Sequence, residues 1–545
     1  MNKQFHRPIV TRVVAAGLAI AASVSLAACG SGSSGSSSAV AKLPDPGYAV
    51  SKDSPAWKAD KSNDNKLTWY VNADWWNKTW NEDLITKQIK KDLNLDVTFV
   101  TGDDTKLNTY FASGDLPDII TTFDANSQAV KTAPRWALPL DDLADKYDPY
   151  FKKVASKDTL EWYRMKDGKT YGYPSYSNTP KDYESGMIHP TTAFIIRKDV
   201  LNAIGNVDLK TPDGFIAAMK TIKEKFPDLV PFGFNDFSGT NSSLDNVLQD
   251  MLGVPITKDG KFYDRQLDED YLTWLKALRQ VHSDGNISDD SFADDADGFK
   301  EKVSSGKYAT ILMNNFVSKG TQLQAWASAH PDEQYVAVDA MESTKGNKPT
   351  LSQSGMSGWS INFITKKVKN PAKAIQTFTY LLSDYGEMLT NFGIEGETYT
   401  KNSDGTVSWT ESANKVRLND PEAWQKQYRM GEFVLFGHDR YKTLNKDSFV
   451  PAIWQMQKWG QQYLKPQYLI ENIDPDASTR ESRSLTAIRT NWSTTMVSLI
   501  RAGSDSDFNA TLAKYQQFLK DNNVDAINTV RDQKIAANEK RLGNQ

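Results

Sequence analysis

Leu67-Thr68-Trp69-Tyr70-Val71, followed by Asn72-Ala73-Asp74-Trp75-Trp76-Asn77, is the stretch on which the reading of the chain turns. The first five residues are β-branched, aromatic or apolar and read as a strand. Thr79-Trp80-Asn81-Glu82 has the spacing of a capping box. Trp80, Leu84, Ile85, Ile89 and Leu93 then recur at helical intervals. Val97 to Val100 makes a second short strand. Gly114 and Pro117 break the chain before Asp118 to Phe123, a third. Strand, helix, strand, helix, strand in this order argues for a mostly parallel sheet flanked by helices. Ligands of such sheets bind beyond the carboxyl ends of the strands. Here those ends are Asn72–Asn77 and Asp124-Ala125-Asn126.

The alternation continues. Ala193 to Arg197 reads as a strand leading into a helix near Lys198–Ile204. Thr211-Pro212 opens another helix, with proline suited to the first turn. Pro231 to Asn235 is a strand, Tyr271 to Val281 an amphipathic helix, and Ala309 to Met313 a strand ending in Asn314-Asn315. Asn370-Pro371 starts one long helix with the stripe Ile375, Phe378, Leu382, Tyr385, Leu389 and Phe392, ending at Gly393. Arg483 to Asn522 reads as two helices, Trp492 on the first.

At 545 residues, the length alone predicts three or four domains. The chain holds 1 Cys and 5 His against 15 Trp, 22 Tyr and 23 Phe. That excludes a disulfide framework and disfavours a His-rich metal site. Residues 1–28 read as a secretory signal: Lys3, Arg7 and Arg12 precede the apolar run Val13 to Ala28, too short to span a bilayer. Leu26-Ala27-Ala28-Cys29 resembles a bacterial lipobox, which makes Cys29 the lipidation site and the membrane anchor. Two or more acyl chains hold a protein stably where one does not. Residues 29–62 are expected to form a flexible tether, beginning with a Gly/Ser run. Cleavage before Cys29 leaves 61 basic and 68 acidic residues, a net charge of −7. Such a chain without a Lys/Arg cluster is a poor partner for nucleic acid.

Seven short stretches carry a family resemblance: Ala112–Ile120, Ala137–Asp141, Asp167–Pro174, Arg197–Gly205, Ser305–Ala309, Asn370–Ala374 and Gly393–Gly396. In this order the chain resembles an extracellular solute-binding lipoprotein of an ABC importer. It is most similar to the Gram-positive oligosaccharide-binding group that shares the type II periplasmic-binding fold with maltose-binding protein. The resemblance implies an α/β fold of two discontinuous lobes joined by hinges near 174–189 and 357–362, in place of three or four domains. Lobe one is expected at 63–178 plus 360–430, and lobe two at 190–355 plus 431–545 with the C-terminal helices. Such lobes close on ligand about the hinges. It further implies a monomer on the outer face of the cytoplasmic membrane, ABC permease subunits as partners, and no cofactor. Many members carry an Asp/Asn-rich calcium loop near 220. Here Phe226-Pro-Asp-Leu-Val-Pro231 offers one carboxylate, so no metal site is expected. The acidic run Asp289–Asp297 reads as a solvated loop and helix start.

A sugar presents a C–H face that stacks on aromatic rings and a rim of hydroxyls that binds planar polar groups. Trp75 and Trp76, beside Asp74 and Asn77, are the leading platform, with both in the cleft or one in the core. Asp124 and Asn126 either meet ligand or cap the next helix. Asn235, Asp236 and Phe237, with Asn314 and Asn315, end the lobe-two strands. Trp359 either stacks on ligand or packs the hinge. Trp492 matches the position of a stacking tryptophan in the maltose-binding relative. Tyr173, Tyr176 and Glu395 complete the candidates. The expected role is capture of an oligosaccharide and delivery to a permease, without catalysis. The alternatives are a tethered glycoside hydrolase, with Asp74 and Asp124 as its carboxylates, or a peptide-binding transporter lipoprotein.

Overall fold

The computed structural model describes residues 43–77, 79–125, 127–235, 243–352, 355–428, 433–445 and 451–543. Cys29, Asn126, Asp236 and Phe237, like the signal segment, lie outside them. The chain divides into Met1–Pro44 and the compact unit Asp45–Gln545, to which everything below refers.

Two sheets organise that unit. The first has the order β2 (Leu95–Thr101), β1 (Asn65–Val71), β3 (Ile119–Thr122), β11 (Ile361–Ile364) and β4 (Gly172–Pro174). β1 runs parallel to β2 and β3, while β11 is antiparallel to β3 and β4. The second has the order β10 (Tyr335–Ala337), β5 (Ala193–Arg197), β9 (Tyr308–Met313) and β6 (Val230–Phe234). Only its β6–β9 pair is parallel. Two small hairpins, β7–β8 (Thr257–Lys258, Lys261–Phe262) and β12–β13 (Tyr399–Lys401, Val407–Trp409), decorate the unit.

The parallel β2–β1–β3 core brings the carboxyl ends of β1 and β3 to one edge, as the strand–helix alternation predicts. The helix after β1 starts later than expected. It spans Leu84–Leu93, and Asp83, not Thr79, caps it by accepting a hydrogen bond from the Thr86 N–H. Trp80 is outside the helix and donates its indole N–H to the Leu95 carbonyl. The helix begun at Asn370-Pro371 is two helices, Pro371–Leu382 and Asp384–Phe392. Ser383, extended at ψ 153°, ends one and caps the next. This turns Tyr385 out of the apolar stripe to 48% exposure. The two helices expected across Arg483–Asn522 are Arg480–Ile500 and Asp505–Asp521, and a third, Val524–Gly543, follows them. All three contribute to the core on one face of the second sheet.

Two segments sit differently from the expected boundaries. Residues 45–61, expected in the tether, pack on the first lobe. Lys373 Nζ meets Asp60 at 2.7 Å with both side chains buried, and Trp57 packs edge-on to Tyr380 at 5.3 Å. Residues 433–445, expected with the second lobe, also belong to the first. Phe433 and Phe436 flank Trp69 at 5.9 and 6.1 Å, and Val407 bridges Asn445.

The crossings between the sheets run side by side. Ser175 N–H donates to Ser360 O at 2.9 Å, Trp359 N–H to Ser175 O at 2.9 Å, and Asn178 N–H to Gly355 O at 2.9 Å. Gly358 permits the approach. Its φ is +65°, and a Cβ there would lie 2.2 Å from Ser175 O.

Candidate functional site

Two tryptophans at the carboxyl edge of the first sheet keep their rings largely in solvent. Trp75, four residues past β1, is 58% exposed, and Trp359, two residues before β11, is 43% exposed. Their ring centroids lie 5.7 Å apart. Phe123, the residue after β3, backs both, 5.6 Å from Trp75 and 4.8 Å edge-on to Trp359. Tyr176 extends the cluster 6.5 Å beyond Trp359. It holds φ +52° and donates its N–H to Gly437 O. Lys442 Nζ sits 3.7 Å from the Tyr176 ring centre, a cation–π contact. Burial pushes the Tyr176 phenol up, while Lys442 acts the other way. The result is an aromatic platform assembled from two strand ends and two crossing segments.

A cavity of about 830 Å³ is lined by Ala125 and Lys131 after β3, by Trp162, Tyr163 and Arg164, and by Glu471, Asp476, Lys534 and Arg541 from the C-terminal part. It adjoins the crossings: Tyr163 donates its hydroxyl proton to Ser357 O at 2.5 Å, and Asn472 Nδ2 donates to Ser357 Oγ at 2.6 Å. Glu471 accepts from the backbone N–H groups of Met356 and Ser357, and burial pushes its carboxyl up. Lys131 reaches across to Asp476 at 2.6 Å. Asn472 also lines a second cavity of about 450 Å³, built from Asp245, Gln249, Arg489, Trp492 and Arg531. Burial pushes the Asp245 carboxyl up to about 6, opposed by Arg265 and by the Tyr271 hydroxyl, which donates to it at 3.4 Å. Rings beside planar amides, carboxylates and guanidinium groups suit a polyhydroxylated ligand with apolar faces.

The structure separates the candidates. Trp75, Trp359 and Tyr176 come together, with Asp74, Asn77 and Asp124 exposed around them. Trp76 is core: it is 4% exposed and packs edge-on to Phe99 at 4.7 Å. Tyr173 is core, its hydroxyl accepting from Ser156 N–H. Ser127, not Asp124, caps the helix after β3. Asn235 is buried and committed: its amide clamps the Asn314 backbone at 2.8 and 2.9 Å, tying β6 to β9. Asn315 is exposed and caps the turn Phe316–Lys319. Glu395 lies by the β12–β13 hairpin, paired to Lys401 at 2.7 Å. Trp492 is buried against Tyr515 at 4.7 Å and reaches the smaller cavity rather than the platform. Phe123, Trp162, Tyr163, Asp245 and Asn472 were not singled out from sequence. Only Phe123 had a signal, closing the third strand.

The residues present do not fit the calcium loop. The helix Pro212–Lys225 ends at Phe226 and β6 starts at Val230. Among the described residues no three His, Cys, Asp or Glu side chains converge as a metal site requires. The run Asp289–Asp297 is a short 3₁₀ turn and a cap, with Asp290 and Asp294 gripping Lys302.

Residues 73–388 match the family model described as bacterial extracellular solute-binding protein. The fructooligosaccharide ABC transporter substrate-binding protein FusA of Streptococcus pneumoniae is 27% identical over 305 residues, 51% of this chain and 53% of that protein. The chain thus spans about half the length of that curated relative. The polygalacturonan/rhamnogalacturonan-binding protein YtcQ of Bacillus subtilis is 25% identical over 381 residues, 66% of this chain and 71% of that protein. Among solved structures, an HMO-binding, ABC-transporter-associated solute-binding protein from Bifidobacterium longum infantis superposes with a TM-score of 0.65 at 14% identity. That match covers 86% of this chain and 98% of that one. The likeness shows the fold, two α/β lobes of the periplasmic solute-binding type.

Proposed function

We propose that this chain, which belongs to the bacterial extracellular solute-binding protein family, is the oligosaccharide-binding component of an ABC importer. The observation that carries the reading is the Trp75–Phe123–Trp359–Tyr176 platform beside the 830 Å³ cavity. Isolated rings left in water at a concave edge lose little by waiting and gain when a sugar face covers them. Relatives named for fructooligosaccharide and for polygalacturonan binding support a carbohydrate ligand.

In this reading the sugar lies between the lobes, and the paired segments 175–178 and 355–360 act as hinges. Asp74, Asn77 and Asp124 offer hydrogen bonds at the rim. Asn126, Asp236 and Phe237, outside the described residues, are proposed as further sugar contacts. Trp492 contributes from the smaller cavity. The protein acts as a monomer, without chemistry and without a cofactor, and hands its ligand to permease subunits. Residues 1–28 are a signal and Cys29 a lipid anchor, placing the protein on the outer face of a Gram-positive membrane. Intact-mass measurement of the membrane fraction tests the anchor: the expected result is a chain starting at Cys29 with a diacylglyceryl addition.

Titration calorimetry with oligosaccharide and peptide panels, followed by chromatography of the recovered ligand, tests the function. Saturable binding of an unaltered sugar is expected. Binding of peptides alone, or sugar cleavage that Asp74→Asn abolishes, would overturn it.

A further inference from the structure

The 830 Å³ cavity has the wrong charge for the chain that contains it. The whole sequence carries an excess of acid, net −4. Yet five basic residues line this cavity: Lys131, Arg164, Lys166, Lys534 and Arg541. Only three acids oppose them, and each is already engaged. Asp476 is shared by Lys131 at 2.6 Å and Lys534 at 3.1 Å, two cations on one carboxylate. Glu471 spends both oxygens on the Met356 and Ser357 N–H groups, and burial favours its neutral form. Asp167 accepts from Tyr171 OH at 2.7 Å and from Lys169 N–H. The neighbouring 450 Å³ cavity, by contrast, balances Arg265, Arg489 and Arg531 against Asp245, Asp264 and Asp474.

Among the described residues, two of the five cations have no carboxylate partner. Arg164 is matched by Glu161 at 2.7 Å, outside the cavity lining. Among the described residues Lys166 and Arg541 have no ion pair. The Arg541 guanidinium lies 5.6 Å over the Trp162 ring, and its hydrogen bond is a long 3.5 Å contact to Asn538 Oδ1. Desolvation pulls its pKa down, with Tyr163 acting the other way. A planar guanidinium beside an aromatic ring, exposed at the edge of a cavity, presents a rigid fork of donors that fits a carboxylate.

We infer that this cavity is a subsite for an acidic substituent, so that the oligosaccharide captured here bears uronic-acid carboxylates, with Arg541 as the principal contact and Lys166 as a second. This rests on the sugar-binding reading and narrows it. The shared chemistry is an anionic group on a sugar ring, and sulfate or phosphate substituents are separated from carboxylate by the test.

The test is calorimetry on the mature chain at low and physiological salt. The probes are oligogalacturonides and alginate oligomers, the same oligomers with carboxyls reduced to alcohols, neutral xylo-, arabino- and fructo-oligosaccharides, sulfated oligosaccharides, and inorganic sulfate and phosphate alone. Acidic oligomers are expected to bind at least about tenfold more tightly than their reduced forms, the scale of a charge-assisted hydrogen bond, and to weaken as salt rises. Arg541→Gln is expected to abolish that preference by weakening the acidic oligomers far more than their reduced forms. Arg541→Lys should restore part of it. Thermal unfolding of each variant reports folding separately. Tight binding of neutral sugars only, or an acid preference that Arg541→Gln and Lys166→Gln leave intact, would overturn the inference while the sugar-binding reading stood. Preference for sulfated over carboxylated sugars would overturn the carboxylate assignment. If no sugar of any class binds, both fail.

Discussion

Replacing Trp75 by alanine separates a binding role from a structural one, because its neighbour Trp76 supplies the internal control. A tryptophan side chain hides roughly 150–250 Å² when fully covered. Trp75 is 58% exposed, so on the order of 100 Å² awaits a ligand. A sugar covers one face, about half of that. At ~25 cal/mol per Å² the burial is worth about 1.2 kcal/mol. Stacking adds about 0.5–1 kcal/mol. Trp75→Ala should therefore weaken sugar binding by about 1.7–2.2 kcal/mol, roughly 20- to 40-fold in Kd. The unliganded protein should unfold at nearly the same temperature, since the ring is 58% exposed and, among the described residues, its ring contacts are with Trp359 and Phe123. Trp76→Ala should do the reverse to stability. Its ring is 4% exposed between Phe99 and Phe433, and truncating such a side chain costs about 3–5 kcal/mol. Calorimetry gives the affinities and denaturant titration the stabilities. Normal sugar binding by Trp75→Ala and Trp359→Ala alike would refute the platform.

Three further outcomes are expected. Lys373→Met leaves the buried Asp60 carboxylate unpaired and should cost about 3–5 kcal/mol in urea titrations, with much of the loss recovered in Lys373→Met/Asp60→Leu; no recovery would mean that the pair is not the cause. Asp245 has a folded pKa raised to about 6 by burial, above its unfolded value of about 3.9. The neutral carboxyl is the form that suits the fold, so its stabilising effect is full below the unfolded pKa and is lost as pH rises through about 6. Denaturation of the native chain and Asp245→Asn at acidic and neutral pH should show the native chain losing more, and parallel changes would refute the assignment. Asp476→Asn removes the partner that joins Lys131 to the C-terminal part. It should shift solution scattering of the unliganded protein toward a larger radius of gyration, and an unchanged radius would mean that the contact does not hold the lobes together.

How far the sequence reaches varies with the kind of signal. β5 and β9 were legible because their apolar runs are nearly continuous, and β1 and β3 because β-branched and aromatic residues dominate them. The break at Ser383 was not, because an apolar stripe continues at helical spacing through a residue whose extended backbone only tertiary packing reveals. The last helix, Val524–Gly543, was missed for a related reason. Its buried face includes Arg531 and Asn538, polar residues that bond to Asp474 and to the carbonyls of Leu469 and Glu471. Hydrophobic periodicity does not report such a face. At the site, Trp75 and Trp359 were legible as aromatics at a strand end and at a crossing. Which of two adjacent tryptophans faces water was not, since neighbours point opposite ways. Asn235 looked like a ligand group because it ends a strand, yet the same position lets it clamp the next strand. Arg541 carries no local signal, since its aromatic seat, Trp162, lies far away in the chain.

The most direct test of the central claim is a crystal structure of the mature chain with a captured oligosaccharide. The account predicts closed lobes, sugar rings stacked on Trp75 and Trp359, and the glycan extending into the cavity lined by Tyr163 and Arg541. A ligand bound elsewhere, with both indoles still open to solvent, would contradict it.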